Sequence, residues 1–503
     1  MILSRIKGIP PWLSASVIAA CSAMCFGLDT GTIGSVTSMS SFLDTFGELS
    51  ATVHGVVVSS ILLPGALSAL FAGILADRWG RTRTITIGSV IFGLGASLEA
   101  ASFWLPMFIV GRLIKGVGEG FFLSTAYVYV CEISPARIRG VMASVVQMVI
   151  VSGLVLGFFM CYGTERLPGS LSWRLPITVQ AIVAFSNAAC CSVIPPSPRW
   201  LQATGHAQQA REISAQLGLD EAEQAELFSQ ASIEPLEHSP DISFWQDLQH
   251  TARGFKETFS APFRARTLFG IFLMAMQQFS GIDGVLYYAP ILLRQAGIAS
   301  QQASFLASGV SALVIMAVTI PATVLADKWG RKTSTVVGGS LIFVLMLLIG
   351  SLYASSQVHR DHGAGRWVVI VSIYLFAAVF SFTWAIGFRA YLIEMLPRKT
   401  RSSAASLAQS SNWVANYIVA LTTPVFIATS SFGAYYFFAF STLLCTVVCA
   451  VLMVETKGHS LEVIEKQYAE RQSTSEGSWY LEKLGIKGSN MRMKVVRVGA
   501  NEG

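Results

Sequence analysis

Ionisable and amide side chains are scarce in this chain, and many sit inside apolar runs. Asp29 lies in FGLDTGTIG, Arg112, Lys115 and Glu119 in GRLIKGVGEG, and Arg389 in TWAIGFR. Gln147, Gln277, Gln278, Asp283, Asn412, Trp413 and Asn416 occupy similar surroundings, with Tyr287 and Tyr288 close by. Three kinds of chemistry suit such residues. A desolvated carboxylate binds a proton more readily, and a nearby cation opposes that binding. Carboxylates and guanidinium groups form bidentate pairs. Side-chain amides both donate and accept hydrogen bonds, so they can hold a ligand or tie helices together. Lys115 and Glu119 are one helical turn apart, so they can pair with each other, or Lys115 can screen Arg112. The GVGEG run falls inside an apolar segment, which rules out a nucleotide loop; its glycines suit close helix packing. The eight cysteines show no zinc or redox spacing, and no metal or cofactor is expected.

A second set of charges is duplicated. Residues 73–84 read GILADRWGRTRT and residues 323–334 read TVLADKWGRKTS, with Asp77 and Asp327 separated by 250 of the 503 residues. Arg78 and Arg81 follow the first aspartate, Lys328 and Arg331 the second. Another pair follows at similar separation, with Glu132 and Arg139 in EISPARIRG and Glu394 and Arg401 in EMLPRKTRS. Repeated phrases of this kind predict two related halves.

The elements that must position these residues are membrane spans. Hydrophobic residues make up 53% of the chain and charged residues 13%, against about 25% charged in soluble domains. Too little charge is available to cover a soluble surface, so lipid must cover it. A span needs about 20 mainly apolar residues. Twelve are expected, near 12–35, 53–75, 84–104, 107–130, 140–162, 174–194, 267–292, 302–325, 334–355, 367–391, 402–427 and 433–453. Residues 1–194 form a first six-helix half and 267–454 a second. Residues 195–266 read as a polar linker with short helices (AQQAREISAQL, EAEQAELFSQ), and 455–503 as a polar tail. The loops carrying the repeated phrases hold eleven Lys and Arg, and the opposite loops hold four. The phrase-bearing side, both termini and the linker are therefore expected in the cytoplasm. A net charge of +6 is modest and implies no nucleic-acid partner.

The ordered set of motifs resembles the sugar porter family of the major facilitator superfamily. It comprises the two copies of the loop phrase, GRLIKGVGEG, EISPARIRG, PPSPRWL at 195–201, QQFSGIDGVLYYAP at 277–290 and ETKGHSLE at 455–462. Residues 378–424 are most similar to fungal members. The resemblance implies an all-α membrane protein that moves a monosaccharide or related polyol by alternating access, in the plasma membrane and without enzymatic chemistry. It assigns substrate contacts to Gln147, Gln277, Gln278, Asn412 and Trp413, with Asn416 either binding or structural. Tyr287 and Tyr288 become an outer gate. Asp29 and Arg112 match a proton-coupling pair. Asp77, Arg78, Arg81, Glu132, Arg139, Asp327, Arg331, Glu394 and Arg401 become a latch on the cytoplasmic side; the bland alternative is that they only set topology.

Departures from the family pattern fall where cargo is chosen. Asp283 replaces a usual Asn, Ile315 stands where several glucose facilitators carry Asn, and Arg389 stands where Trp is usual. Pro196 and Val454 replace a usual Glu and a usual Pro. Arg389 lies roughly 7–8 Å along the helix from Glu394, at 1.5 Å per residue. It is expected either to snorkel or pair with Glu394, or to line the cavity and favour an acidic substrate. The alternatives are thus a carrier of a sugar acid or other metabolite on the same fold and, against the shortness of the tail, a sugar sensor.

Overall fold

The computed structural model describes residues 10–135, 138–219, 224, 244–298, 300–325, 329–359, 362–458 and 463–468. Inside a bilayer each backbone amide must be satisfied within its own segment, which favours helices. Long helices dominate the described residues, which contain no strand. They are α1 (Pro11–Val36), α2 (Ala51–Ser59 continuing as Leu62–Trp79), α3 (Arg81–Ala100), α4 (Leu105–Ile133), α5 (Arg139–Thr164) and α6 (Leu171–Val193). The second set is α7 (Arg264–Phe279, then Ile282–Tyr287 and Ala289–Gln295), α8 (Gln301–Leu325), α9 (Arg331–Ala354), α10 (Gly365–Met395), α11 (Arg401–Thr429) and α12 (Gly433–Leu452). Short helices at Pro198–Ala203, Ala207–Leu217 and Phe244–Thr258 lie between the sets. Most of the expected EAEQAELFSQ helix lies outside the described residues.

Nine of the described helices are long and apolar enough to cross a membrane on length and composition alone. The other three, α3, α4 and α11, carry buried charges such as Glu99, Arg112 and Lys115, or the buried amides Asn412 and Asn416. Lipid instead meets apolar side chains such as Leu67, Leu94, Leu156, Ile182 and Phe440, all well exposed.

Helix pairing repeats between the halves. In the first, α1 packs along α5, α2 along α4, and α3 against α4 and α6; in the second, α7 packs along α11, α8 along α10, and α9 against α10 and α12. The halves meet where α5 packs on α8, α2 on α11, and α1 on the Ile282–Tyr287 segment. The sequence predicts one continuous span over 267–292, but α7 is broken twice. Gly281 takes a positive φ of 89°, where only glycine is relaxed. Tyr288 leaves helical geometry just before Pro290.

The α1–α5 seam depends on missing side chains. A Cβ added at Gly27 would lie 1.9 Å from the carbonyl oxygen of Ile150. Such small-residue contacts let membrane helices approach closely. Gly27→Leu is therefore expected to cost upwards of about 3 kcal/mol, the upper end for overpacking. In fluorescence-detected size exclusion it should lose the monodisperse peak. Gly73→Leu, on α2 with nothing within 4 Å of the added Cβ, should keep it.

Candidate functional site

In the first half, α1, α3, α4 and α6 converge on a buried charge cluster. Arg112 on α4 donates to Asp29 of α1, with Nη1 3.3 Å from Oδ1 and Nη2 3.4 Å from Oδ2. Nη2 also donates to the carbonyl of Val58, beside the break in α2, at 2.8 Å. Lys115, one turn along α4, places Nζ 2.7 Å from Asp29 Oδ1 and 2.7 Å from Glu99 Oε2 on α3. It also donates to Gln180 Oε1 on α6 at 3.0 Å, which occupies all three ammonium hydrogens. Arg112 approaches Glu99 at 3.9 Å. All four ionised groups are buried. Removing one partner from such a set leaves an uncompensated charge and typically costs about 3–5 kcal/mol. Lys115 does not pair with Glu119, contrary to one reading of the sequence, because Asp29, Glu99 and Gln180 take its hydrogens. Both Glu119 oxygens are buried without a hydrogen-bond partner.

In the second half, α7 and α11 carry a chain of amides. Asn412 donates to Gln277 Oε1 at 3.0 Å and to the carbonyl of Met274 at 2.8 Å. Gln277 donates to the carbonyl of Trp384 on α10 at 3.0 Å. Gln278 donates to Asn412 Oδ1 at 3.2 Å. Asn416 donates to Asp283 Oδ2 at 2.6 Å and reaches the Tyr287 hydroxyl at 3.4 Å. Two acceptors in this chain, Gln278 Oε1 and Asn416 Oδ1, have no partner although buried. Trp413 crosses towards the first half. Its ring lies 6.0 Å from that of Phe26 on α1 and rests on Gly65 of α2.

Arg389 also crosses. Nη1 donates to Gln147 Oε1 on α5 at 3.0 Å and to the Tyr127 hydroxyl on α4 at 3.2 Å. The expected Arg389–Glu394 pairing does not occur, because Glu394 is held elsewhere. Glu394 accepts from Arg331 Nη2 at 2.9 Å and from the Thr456 hydroxyl at 2.5 Å.

At the phrase-bearing end the charges pair alike in both halves. Arg81 meets Glu132 through Nη2 at 2.9 Å and Nε at 3.0 Å, and Asp77 at 2.8 Å. Arg331 with Glu394 is the second-half counterpart. Glu455 caps the start of α9, accepting from the backbone N–H of Arg331 at 2.7 Å and of Lys332 at 3.1 Å. Arg401 donates to the carbonyl of Leu396. Asp327 and Lys328 lie outside the described residues, as does the side chain of Arg139. The Phe244–Thr258 helix pairs Asp247 with Arg78 at 3.5 Å and Glu257 with Lys399, touching both halves.

At the opposite end the halves are packed together. Gln301 donates to the Ser38 carbonyl at 2.6 Å. His54 packs edge-on against Tyr288, with centroids 5.4 Å apart, and Tyr288 donates to the Ala420 carbonyl at 2.6 Å. The backbone of Tyr287 lies directly against Gly34 of α1.

Residues 15–468 match the family described as "Sugar (and other) transporter". The chain belongs to this sugar transporter family. A glucose transport protein of Synechocystis is 30% identical over 467 residues, covering 90% of this chain and 96% of that protein. The Arabidopsis thaliana protein named "Probable polyol transporter 6" is 31% identical, covering 90% and 93%. A high-affinity glucose transporter of Kluyveromyces lactis is 26% identical, covering 93% and 87%. Among solved structures, the proton:xylose symporter XylE bound to 6-bromo-6-deoxy-D-glucose superposes with a TM-score of 0.73 at 24% identity, covering 91% of this chain and 99% of that one. The likeness shows the major facilitator fold, with twelve helices in two halves.

Within this member of the family, Asp29 and Arg112 come together as the sequence predicts, and so do Gln277, Gln278, Asn412 and Asn416 through α7 and α11. Glu99 and Gln180 belong to the charge cluster but escaped the sequence reading. A carboxylate inside an apolar run, SLEAAS, was the available signal for Glu99; for Gln180 there was none beyond its polarity. Tyr127 was likewise missed. Arg81→Ala should strand the buried Glu132, costing about 3 kcal/mol or more, and sharply reduce the folded yield. Adding Glu132→Gln should restore much of it. Thermal unfolding of the single and double variants measures the coupling.

Proposed function

We propose that this transporter carries a monosaccharide or related polyol, coupled to protons, by alternating access across the plasma membrane. The phrase-bearing end, both termini and the segment between the halves face the cytoplasm in this reading. The observation that carries it is the pair of buried amide oxygens without a partner on Gln278 and Asn416, on the helices that also carry Asp283 and Trp413. A polyhydroxylated solute supplies O–H donors to such acceptors and C–H faces to an indole ring. Arg389 meets Gln147 of the first half, and Gln277 acts with Asn412 to hold the neighbouring amides. Asp29 and Arg112 supply a charged pair whose separation or approach can link proton binding to the motion. The Arg81 and Arg331 pairs brace the cytoplasmic ends of the two halves, and with Asp77, Arg78, Glu132, Arg139, Asp327, Glu394 and Arg401 they make up the proposed latch.

A second reading follows from Arg389. Its guanidinium sits between the halves, on Gln147 and Tyr127, with Asp283 within electrostatic reach. A cation there suits the carboxylate of a sugar acid.

Radiolabelled uptake in yeast lacking its own hexose carriers separates these readings. Saturable uptake of a neutral hexose or polyol, lowered by a protonophore, is expected. Gln278→Ala should raise KM about tenfold, equivalent to ~1.4 kcal/mol, with surface level unchanged. Competition by sugar acids, lost in Arg389→Gln, would favour the second reading. Uptake that ignores the protonophore would leave facilitated diffusion.

A further inference from the structure

The buried cluster of the first half is balanced without Glu119. Asp29 and Glu99 face Arg112 and Lys115, two carboxylates against two cations, with every pair in direct contact or near it. Glu119 is a fifth ionisable group on the same face of α4, one turn from Lys115. It is fully buried, and neither oxygen has a hydrogen-bond partner. Burying an ionised carboxylate without a partner costs many kcal/mol, whereas a neutral acid costs far less. Asp29 lacks that freedom: discharging it would leave Arg112 and Lys115 facing Glu99 alone.

We infer that Glu119, rather than Asp29, carries the proton that moves with substrate. This rests on the proton-coupled reading above and moves its proton site to Glu119, with Asp29 and Arg112 remaining as the charged pair beside it. Three placements argue for it. The titratable groups within electrostatic reach of Glu119 are Cys25 and Asp29 from α1, Glu99 from α3, Arg112 and Lys115 from its own helix, and Tyr287 from the second half. Tyr287 belongs to the segment that packs on α1 across the interface between halves, so relative motion of the halves changes the surroundings of Glu119. Lys115 holds Asp29 and Glu99 here, yet it stands at the helical spacing from which a lysine reaches a glutamate four residues on. When Lys115 turns from Asp29 to Glu119, the Glu119 carboxylic acid gives its proton to water on the open side and stays as a carboxylate paired with the ammonium. When Lys115 returns to Asp29, Glu119 takes a proton from water on the other side. One proton crosses per cycle, and no covalent bond other than O–H forms or breaks.

The test measures substrate-induced proton uptake, concentrative accumulation and substrate counterflow in cells producing the full chain or Glu119→Gln. Glutamine copies the neutral acid in shape. The inference predicts that the variant keeps counterflow but loses proton uptake, accumulation and protonophore sensitivity. Retained proton uptake and accumulation in the variant would overturn it while leaving proton coupling intact. Absence of proton uptake in the unaltered chain would overturn the coupled reading and this inference together. Glu119→Met is the second variant. Failure of both variants to reach the membrane would mean that the carboxylate holds the fold, which also overturns the inference.

Discussion

Lys115 Nζ lies 2.7 Å from Asp29 and from Glu99, and the rest of the first half is arranged around that contact. Water is scarce at this depth, so each ionised side chain must find its counter-charge within the protein. Three helices bring charges that pair with one another here, and α6 adds the Gln180 amide. The charges lie among glycine-rich helix contacts, such as Gly27 of α1 against α5 and Gly95 of α3 against α4, where backbones come within van der Waals reach. Close approach brings α1 and α3 near enough to α4 for Arg112 and Lys115 to reach both carboxylates.

The halves share their scaffold and differ in their interiors. Arg81 with Glu132 and Arg331 with Glu394 occupy corresponding places, and the helix pairings repeat. The duplicated part is thus the frame and its charged end. The interior of the first half holds balanced ions, while that of the second holds amides and an indole. Arg389 on Gln147 and Trp413 over Gly65 bridge the two. One interior therefore holds paired charge, and the other holds amide groups close to the contact between the halves.

Much of this was legible in the sequence. Apolar runs of span length and two copies of a charged phrase were enough for the twelve-helix, two-half plan, because the bilayer leaves the backbone so few alternatives. Asp29, Arg112 and the amides of 277–278 and 412–416 stood out as polar residues in apolar surroundings. What was not legible is who pairs with whom. Helical spacing put Lys115 beside Glu119, yet tertiary contacts with α1, α3 and α6 claimed the lysine. Spacing likewise put Arg389 near Glu394, yet Arg331 and Thr456 hold that carboxylate and Arg389 crosses to the other half. Local periodicity cannot rank a neighbour on the same helix against one that the chain brings back from another helix, 16 residues away for Glu99 and 242 for Gln147. Nor did the pattern reveal the two breaks in α7, which hang on one glycine with positive φ and one proline.

A single polar interior reached from alternate sides requires the contacts at the end opposite the charged phrases to part in every cycle. The direct measurement is substrate uptake after joining Ser38→Cys on the first half to Gln301→Cys on the second with a cleavable bifunctional thiosulfonate, with exposed Cys190 replaced. Uptake is expected to stop when the linker is in place and to return when it is cleaved. Undiminished uptake with the two halves demonstrably joined would contradict alternating access.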